Sequence, residues 1–300
     1  MRVLIIGCGY VGLPLGVELR RLGHEVFGVR RSARGTAALQ QAGLHPIVAD
    51  ISNPDACRQW PEPFDWIINT AACGPGGTLE DYRRLYLEGT RHLLERLQAA
   101  PPALYVYTSS TSVYAQDDGS WVDEESPAEP SSPTSRILRQ TETLLLEAWR
   151  KDRFPAVILR LAGIYGPGRG YAFKQFIRGE ATLSGAGRRH MNMIHRDDVV
   201  GAIQAALHRG RPGAIYNVVD DEPVSQRDFF AWVASQLGRP LPPQAPEAAE
   251  TDRKRGLTDK RVSNRRLKTD LRYRLRFPTF REGYAAEIEH LRSRTRHPTG

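Results

Sequence analysis

The chain has 300 residues, 40% of them hydrophobic and 25% charged. That balance suits a large α/β core with room for a smaller cap and excludes wholesale disorder; no apolar run reaches the ~18 residues of a membrane span, so no membrane partner is expected. Lysine and arginine outnumber aspartate and glutamate by 42 to 34, for a net charge of +8, which admits a phosphorylated ligand and, without aromatic interleaving or a helix-turn-helix pattern, argues against nucleic acid.

Through residue 165, compact runs rich in Val, Ile and aromatics alternate with amphipathic stretches. Strands are predicted over 2–7, 25–30, 45–50, 66–71, 104–109 and 156–161, each apolar enough to be buried on both faces. Helices are predicted between them. Val11, Leu15, Leu19 and Leu22 fall at helical spacing, as do Leu79, Tyr82, Leu85, Tyr86, Leu93 and Leu97 within 79–99, and a further helix is expected over 134–149. Alternating strands and helices with short connections imply an α/β, Rossmann-type doubly wound parallel sheet.

The pattern changes at Gly166-Pro167-Gly168-Arg169-Gly170, a cluster of chain breakers. A short helix over 171–178 and a glycine-containing stretch to His190 follow. A helix over 197–209 and a strand over 214–219 resume the α/β pattern, and Ser225 is placed to cap a helix ending at Leu237. Four prolines make 239–256 a loop, two short basic helices come next, and the end is expected to fray. The predicted organisation is a nucleotide-binding domain over 1–165, with 193–219 returning to it. A smaller C-terminal substrate-capping region takes 166–192 and 220–291, and 292–300 forms a tail. Much of the basic excess falls late, from Arg253-Lys254-Arg255 to Arg276, and reads equally as a solvated face or as an attraction for phosphorylated ligands.

The three cysteines, Cys8, Cys57 and Cys73, show no CxxC spacing and are odd in number. Neither a disulfide framework nor a metal site is expected. The first strand begins directly after Met1-Arg2, leaving no room for a signal peptide, so a cytoplasmic location is expected.

The first strand runs into Gly7-Cys8-Gly9-Tyr10-Val11-Gly12 and then a helix, the context a GxGxxG turn requires. Gly7 allows the tight turn, Gly9 lets a pyrophosphate approach the backbone, and Gly12 permits close helix–sheet packing. Tyr10 and Val11 place their amides at the helix N-terminus, where an anion is favoured. The second strand ends in Val29-Arg30-Arg31-Ser32, where an NAD-preferring chain carries Asp or Glu for the ribose 2′-OH. Arg30 and Arg31 instead suit a 2′-phosphate. NADP(H) is therefore expected in preference to NAD(H). Asp50 and Ile51, after the third strand, are assigned to the adenine, and Ala71 and Ala72, after the fourth, to the wall beside the cofactor.

These pieces resemble the extended or atypical short-chain dehydrogenase/reductase family, which includes nucleotide-sugar epimerases and dehydratases. The resemblance is carried by Thr108-Ser109-Ser110-Thr111-Ser112-Val113-Tyr114, by Arg160-Leu161-Ala162-Gly163-Ile164-Tyr165-Gly166-Pro167-Gly168 and by Ile194-His195-Arg196-Asp197-Asp198-Val199. Val262 to Leu267 and Phe277 to Gly283 are similar to the family's closing segments. The resemblance implies an NAD(P)-dependent oxidoreductase or epimerase/dehydratase acting on a small carbonyl, hydroxyl or nucleotide-sugar-like substrate. It also implies Ser110 at the hydroxyl-binding position and a homodimer through the helices at 79–99 and 134–149.

The chain departs from the family at the Tyr-x-x-x-Lys pair. Aligned on Glu142, the Tyr position falls on Thr134 and the Lys position on Leu138, and neither supplies an acid/base group near neutral pH. Arg136 and Arg139 stay protonated and cannot relay a proton. Tyr165 and His195 are the substitute candidates for proton transfer, although His195 reads equally as a packed histidine and Ser110 as a strand-end cap. Asp198 is expected to tie neighbouring loops rather than to meet substrate. The alternative to an enzyme is an NADP(H)-binding sensor or scaffold. Gly9 to Leu15 also resembles the opening of UDP-glucose and GDP-mannose dehydrogenases, but no cysteine follows Cys73 to serve as their nucleophile.

Overall fold

The computed structural model describes residues 1–57, 60–61, 63–74, 76–245 and 258–296. Seven parallel strands form the central sheet: β1 (Arg2–Ile6), β2 (Glu25–Arg30), β3 (His45–Val48), β4 (Trp66–Asn69), β5 (Leu104–Ser110), β7 (Ala156–Leu161) and β11 (Ile215–Val218). Their spatial order is β11-β7-β5-β4-β1-β2-β3. Val3, Leu4 and Ile5 of β1, Ile67 and Ile68 of β4, and Val157 and Ile158 of β7 are wholly buried, as strands covered on both faces must be.

Helices connect the strands: α1 (Gly12–Arg21), α2 (Thr36–Gln41), the single turn α3 (Pro54–Cys57), α4 (Leu79–Tyr82), α5 (Gly89–Leu97) and α6 (Pro133–Asp152). In α1, Leu15 and Leu19 are buried, and Gly16 lets Leu44 pack where a Cβ would lie 2.6 Å from its Cδ1. The chain runs from β1 outward to β3, then returns to the other side of β1 with β4. That reversal opens a crevice between the carboxyl ends of β1 and β4.

The helix predicted over 79–99 is one rod with a wider π-helical turn, Arg83–Glu88, between α4 and α5. Such turns shift the side-chain register at functional sites. Here the turn brings Leu85 and Tyr86 to the crevice, while Gly89 passes close to Ile51, where a Cβ would lie 3.0 Å from its Cγ1.

Past residue 162 the elements are β8 (Gly163–Tyr165), α7 (Tyr171–Arg178), β9 (His190–Met191), β10 (Met193–His195), α8 (Arg196–Arg209), β12 (Val224–Ser225), α9 (Gln226–Leu237), β13 (Lys260–Val262), α10 (Arg265–Thr269) and α11 (Phe280–Arg296). Ser225 caps α9 by accepting from the Asp228 amide. A second, aromatic core gathers Phe173 and Phe176 of α7, Phe229 and Phe230 of α9, and Phe280 and Tyr284 of α11.

The structure corrects the sequence reading in three places. The third strand ends at Val48, and Asp50 begins a turn in which its Oδ1 accepts from Ser52 N and Oγ. The presumed second short basic helix is the 17-residue α11, which continues through 292–296 of the expected tail. It is held there because Leu291 packs on the aromatic core and Arg292 donates to Gln236. Finally, β6 (Ser120–Val122) pairs in parallel with β13, a three-residue ladder too short to show a period. Of the proline-rich loop, 246–256 lie outside the described residues; Pro243 and Ala245 exchange backbone hydrogen bonds with Leu183. No helix among the described residues is long and apolar enough to cross a membrane.

Candidate functional site

A cavity of about 710 Å³ follows the carboxyl ends of β1, β2, β4, β5 and β7. Gly7, at φ +77°, turns the chain so tightly against β4 that a Cβ would lie 2.4 Å from Ala71 Cα. Thr70 Oγ1 donates to the carbonyls of Ile6 and Gly7, and the Cys8 amide donates to Val29 O. The turn is thus tied to strands on both sides. Within the first turn of α1, Leu13 N–H donates back to Gly9 O, Leu15 N–H to Val11 O, and Pro14 has no N–H, so the amides left to meet a ligand are those of Tyr10, Val11 and Gly12. The turn carries no acidic residue, which leaves the dipole free to favour an anion. Gly9, Tyr10 and Val11 line the cavity. Gly12 does not; its absent side chain lets α1 approach, since a Cβ would stand 2.9 Å from Ile5 Cγ2.

Arg30 and Arg31 line the adjoining wall. Among the described residues neither guanidinium is paired with a carboxylate. Arg30 reaches between two glycines: a Cβ on Gly35 would lie 2.3 Å from its Nε, and one on Gly9 would lie 3.1 Å from its Nη1. The space that these glycines leave lets a cation reach the turn. Asp50, Ile51, Ala71 and Ala72 complete this part of the wall. An extended dinucleotide fits the donor set: exposed amides at a helix N-terminus, a cradle that a side chain at Gly7 or Gly9 would crowd, and cations beyond.

At the other end, Ser110 closes β5 and lines the cavity, and its Oγ also accepts from the Ser112 amide. The lining and capping roles of this serine coexist. A hydroxyl chain from Ser132 through Ser135 to Ser112 fixes the start of α6 to the same loop. Leu138 presents its apolar side chain to the cavity, whereas Thr134 does not line it. The cavity therefore has no phenol–ammonium pair at the expected place.

Tyr165 and His195 are not brought there either. Tyr165 donates to Thr279 O, stacks 4.6 Å from Tyr284 in the aromatic core, and has its phenol pushed far above its ordinary value by burial. His195 caps α8: its Nδ1 accepts from the Asp197 amide, and its ring lies 3.9 Å from that of Phe277. Burial lowers its basicity, and the nearby Asp197 and Asp198 only partly oppose this. Both residues brace the contact between the sheet and the cap, because the chain crosses between the two at Tyr165 and at His195. Asp198 is fully buried and accepts from Tyr273 Oη and the amides of Arg276 and Phe277, anchoring the segment that leads into α11.

Among the cavity residues that escaped the sequence reading are three polar ones on the cap side, Arg169, Tyr171 and Lys174. Arg169 extends over Tyr10, its guanidinium carbon 5.0 Å from the ring centroid, and Arg196 lies 5.4 Å from the same ring. Tyr171 and Lys174 stand one turn apart on α7, a spacing that puts both on one face. That spacing was the available signal, but the breaker cluster before it gave no direction.

A family model described as the NAD-dependent epimerase/dehydratase family matches residues 3–219, and the chain belongs to that family. It is 28% identical over 274 residues to Protein YeeZ of Escherichia coli (strain K12), covering 88% of this chain and 93% of that protein. It is 29% identical to a 3-diazoavenalumate denitrifying reductase of Streptomyces sp, covering 96% of this chain and all of that one. Among solved structures, MoeE5 in complex with UDP-glucose and NAD is 27% identical, with a TM-score of 0.79 over 98% of this chain and 99% of that one.

Proposed function

We propose that the protein is an NADP(H)-dependent oxidoreductase acting on a carbonyl or hydroxyl group of a small molecule. The observation that carries this reading is the pair Arg30 and Arg31 on the wall next to the glycine-rich turn, neither with a carboxylate within ion-pair distance among the described residues, Asp81 feeling Arg31 only at longer range. A phosphate at the ribose 2′ position would satisfy both cations, and no carboxylate at the end of β2 repels it. The reductase relative supports hydride chemistry, while NAD in the MoeE5 structure marks NAD(H) as the competing cofactor.

In this reading the amides of Tyr10 and Val11 hold the diphosphate, and Ala71 and Ala72 border the cofactor. The nicotinamide supplies the hydride when bound. Ser110 orients the substrate oxygen by hydrogen bonding, and Leu138 and Leu161 exclude water from the reacting end. A homodimer through the helices over 79–97 and 133–152, which pack side by side, belongs to the same proposal.

A second reading, an NADP(H)-binding sensor or scaffold without turnover, is favoured by Thr134 and Leu138 in place of the family pair. Loss of the reduced cofactor's near-ultraviolet absorbance over a panel of ketones, aldehydes and nucleotide sugars separates the two. Turnover that falls at least tenfold in Ser110→Ala supports the enzyme. Tight cofactor binding with no turnover across the panel supports the sensor.

A further inference from the structure

A second cavity, of about 470 Å³, lies between α7 and α11 and shares Gly168, Arg169 and Lys174 with the first. The two therefore adjoin at these three residues. Pro167, Phe173, Ile177, Ala286 and Leu291 give the second cavity an apolar wall, with Arg178, Glu287 and His290 also on its lining. Its size falls within the range of small-molecule sites.

The charges are unevenly placed. Among the described residues Arg169 and Lys174, at the junction, have no carboxylate within ion-pair distance. Arg178 is only 3.9 Å from Glu180 on the exposed side. The one carboxylate on the wall, Glu287, is tied to the Gly168 amide and feels Lys174 as its nearby cation. Among the described residues the junction thus sets Arg169 and Lys174 against Glu287, beside a predominantly apolar wall.

We propose that the second cavity holds the apolar body of a monoanionic substrate, a small aryl or alkyl carboxylate, with its carboxylate bound by Lys174 and Arg169 where the cavities meet. This rests on the oxidoreductase reading and gives that reading its substrate class. An apolar body gains by leaving water against Phe173, Ile177 and Leu291. A carboxylate gains from charge-assisted hydrogen bonds to two neighbouring cations, both on the exposed side of the junction, while the apolar body is what leaves water. A nucleoside diphosphate would place two or more negative charges near Glu287 and leave its base and sugar polar groups against apolar walls, which costs binding energy.

The test is calorimetric titration of the full chain, with and without NADPH, using 3-phenylpropanoate, its neutral counterpart 3-phenylpropanol, and UDP-glucose as probes. The carboxylate is expected to bind at least tenfold more tightly than the alcohol. Lys174→Gln, at an exposed helical position, is expected to abolish that preference. Ile177→Asp is expected to weaken carboxylate binding tenfold or more, and melting curves report whether each variant is folded. Equal affinity for acid and alcohol, no binding of the acid, indifference to both substitutions, or tighter binding of UDP-glucose than of the acid would each overturn the proposal. NADPH titration of the same protein keeps the two readings apart: acid binding without NADPH binding removes the oxidoreductase reading alone, and the reverse removes this one alone.

Discussion

Arg160 and Glu142 form a two-pronged ion pair inside the protein, with Nε to Oε1 at 3.0 Å and Nη2 to Oε2 at 2.8 Å, the two side chains 2% and 0% exposed. Glu142 also accepts from Ser109 Oγ, and Arg160 donates to Tyr114 Oη, which donates in turn to Asn217 Oδ1. The network joins α6 to β5, β7 and β11 immediately beside Ser110. Removing one partner strands a charge in the interior, so Arg160→Met and Glu142→Leu are each expected to cost about 3–5 kcal/mol. The double variant is expected to recover much of that loss, because no fully buried charge is then left unpaired; Arg139, which lies 3.5 Å from Glu142 Oε2, loses that partner but is 34% exposed and reaches water. Urea unfolding of the three variants checks it; additive losses in the double variant would contradict the account.

Lys260 is 5% exposed, and burial lowers its ammonium to about 8, opposed only in part by Asp259. Between that value and its unfolded value near 10.4 the unfolded chain binds more protons, so stability rises with pH across this window. From pH 7.5 to 9.5 the native protein should gain about 2 kcal/mol relative to Lys260→Met. Denaturant midpoints at the two pH values measure the difference, and identical pH slopes in both proteins would refute it.

His195 acts as a cap through its unprotonated Nδ1, and its folded value lies below the ordinary histidine value. Acidification through and below about 6.5 therefore protonates the unfolded chain first and lowers stability. Burial sets this balance first; Asp197 and Asp198 oppose it and Arg196 adds to it. His195→Asn retains an acceptor at the cap and should show a smaller fall in melting temperature between pH 7.5 and 5.5. It should also retain substrate turnover, because the ring is not at the cavity. A tenfold loss of turnover in a stable His195→Asn protein would restore the catalytic role.

Gly7 and Gly9 should respond differently to alanine. Gly7 combines positive φ with backbone 2.4 Å from the added Cβ, so Gly7→Ala is expected to destabilise by more than about 1 kcal/mol. At Gly9 the nearest atom is the flexible Arg30 Nη1. Gly9→Ala should fold normally and lose cofactor affinity, as thermal melts with and without NADPH would show; an unchanged ligand-induced shift would count against diphosphate binding there.

The nucleotide half of this protein was readable because its rules are local. Gly7 to Gly12 joins a strand to a helix, and the apolar runs of Val3 to Ile6 and Ile67-Ile68 admit only strands buried on both faces. Arg30 and Arg31 fall on the cavity wall at the end of β2, where their place in the sequence put them. The other half depends on contacts distant in sequence. Tyr165 and His195 carry reactive groups, but Thr279, Tyr284 and Phe277, more than 80 residues further on, turn both into packing elements. Lys174 was hidden for the converse reason: its helix says nothing about the cavity until α11 closes beside it. Asp198 was legible as a brace, although its partners, the Tyr273 hydroxyl and the amides of Arg276 and Phe277, were not.

The most direct test of the cofactor assignment is calorimetric titration of the native protein and of the Arg30→Ala/Arg31→Ala double variant with NADPH and NADH. Two charge-assisted contacts to one phosphate, at about 1.5 kcal/mol or more each, predict NADPH binding at least tenfold tighter than NADH in the native protein. The double variant should bring the two affinities together by weakening NADPH alone. No heat with either nucleotide on folded protein, or equal losses for both in the variant, would contradict the account.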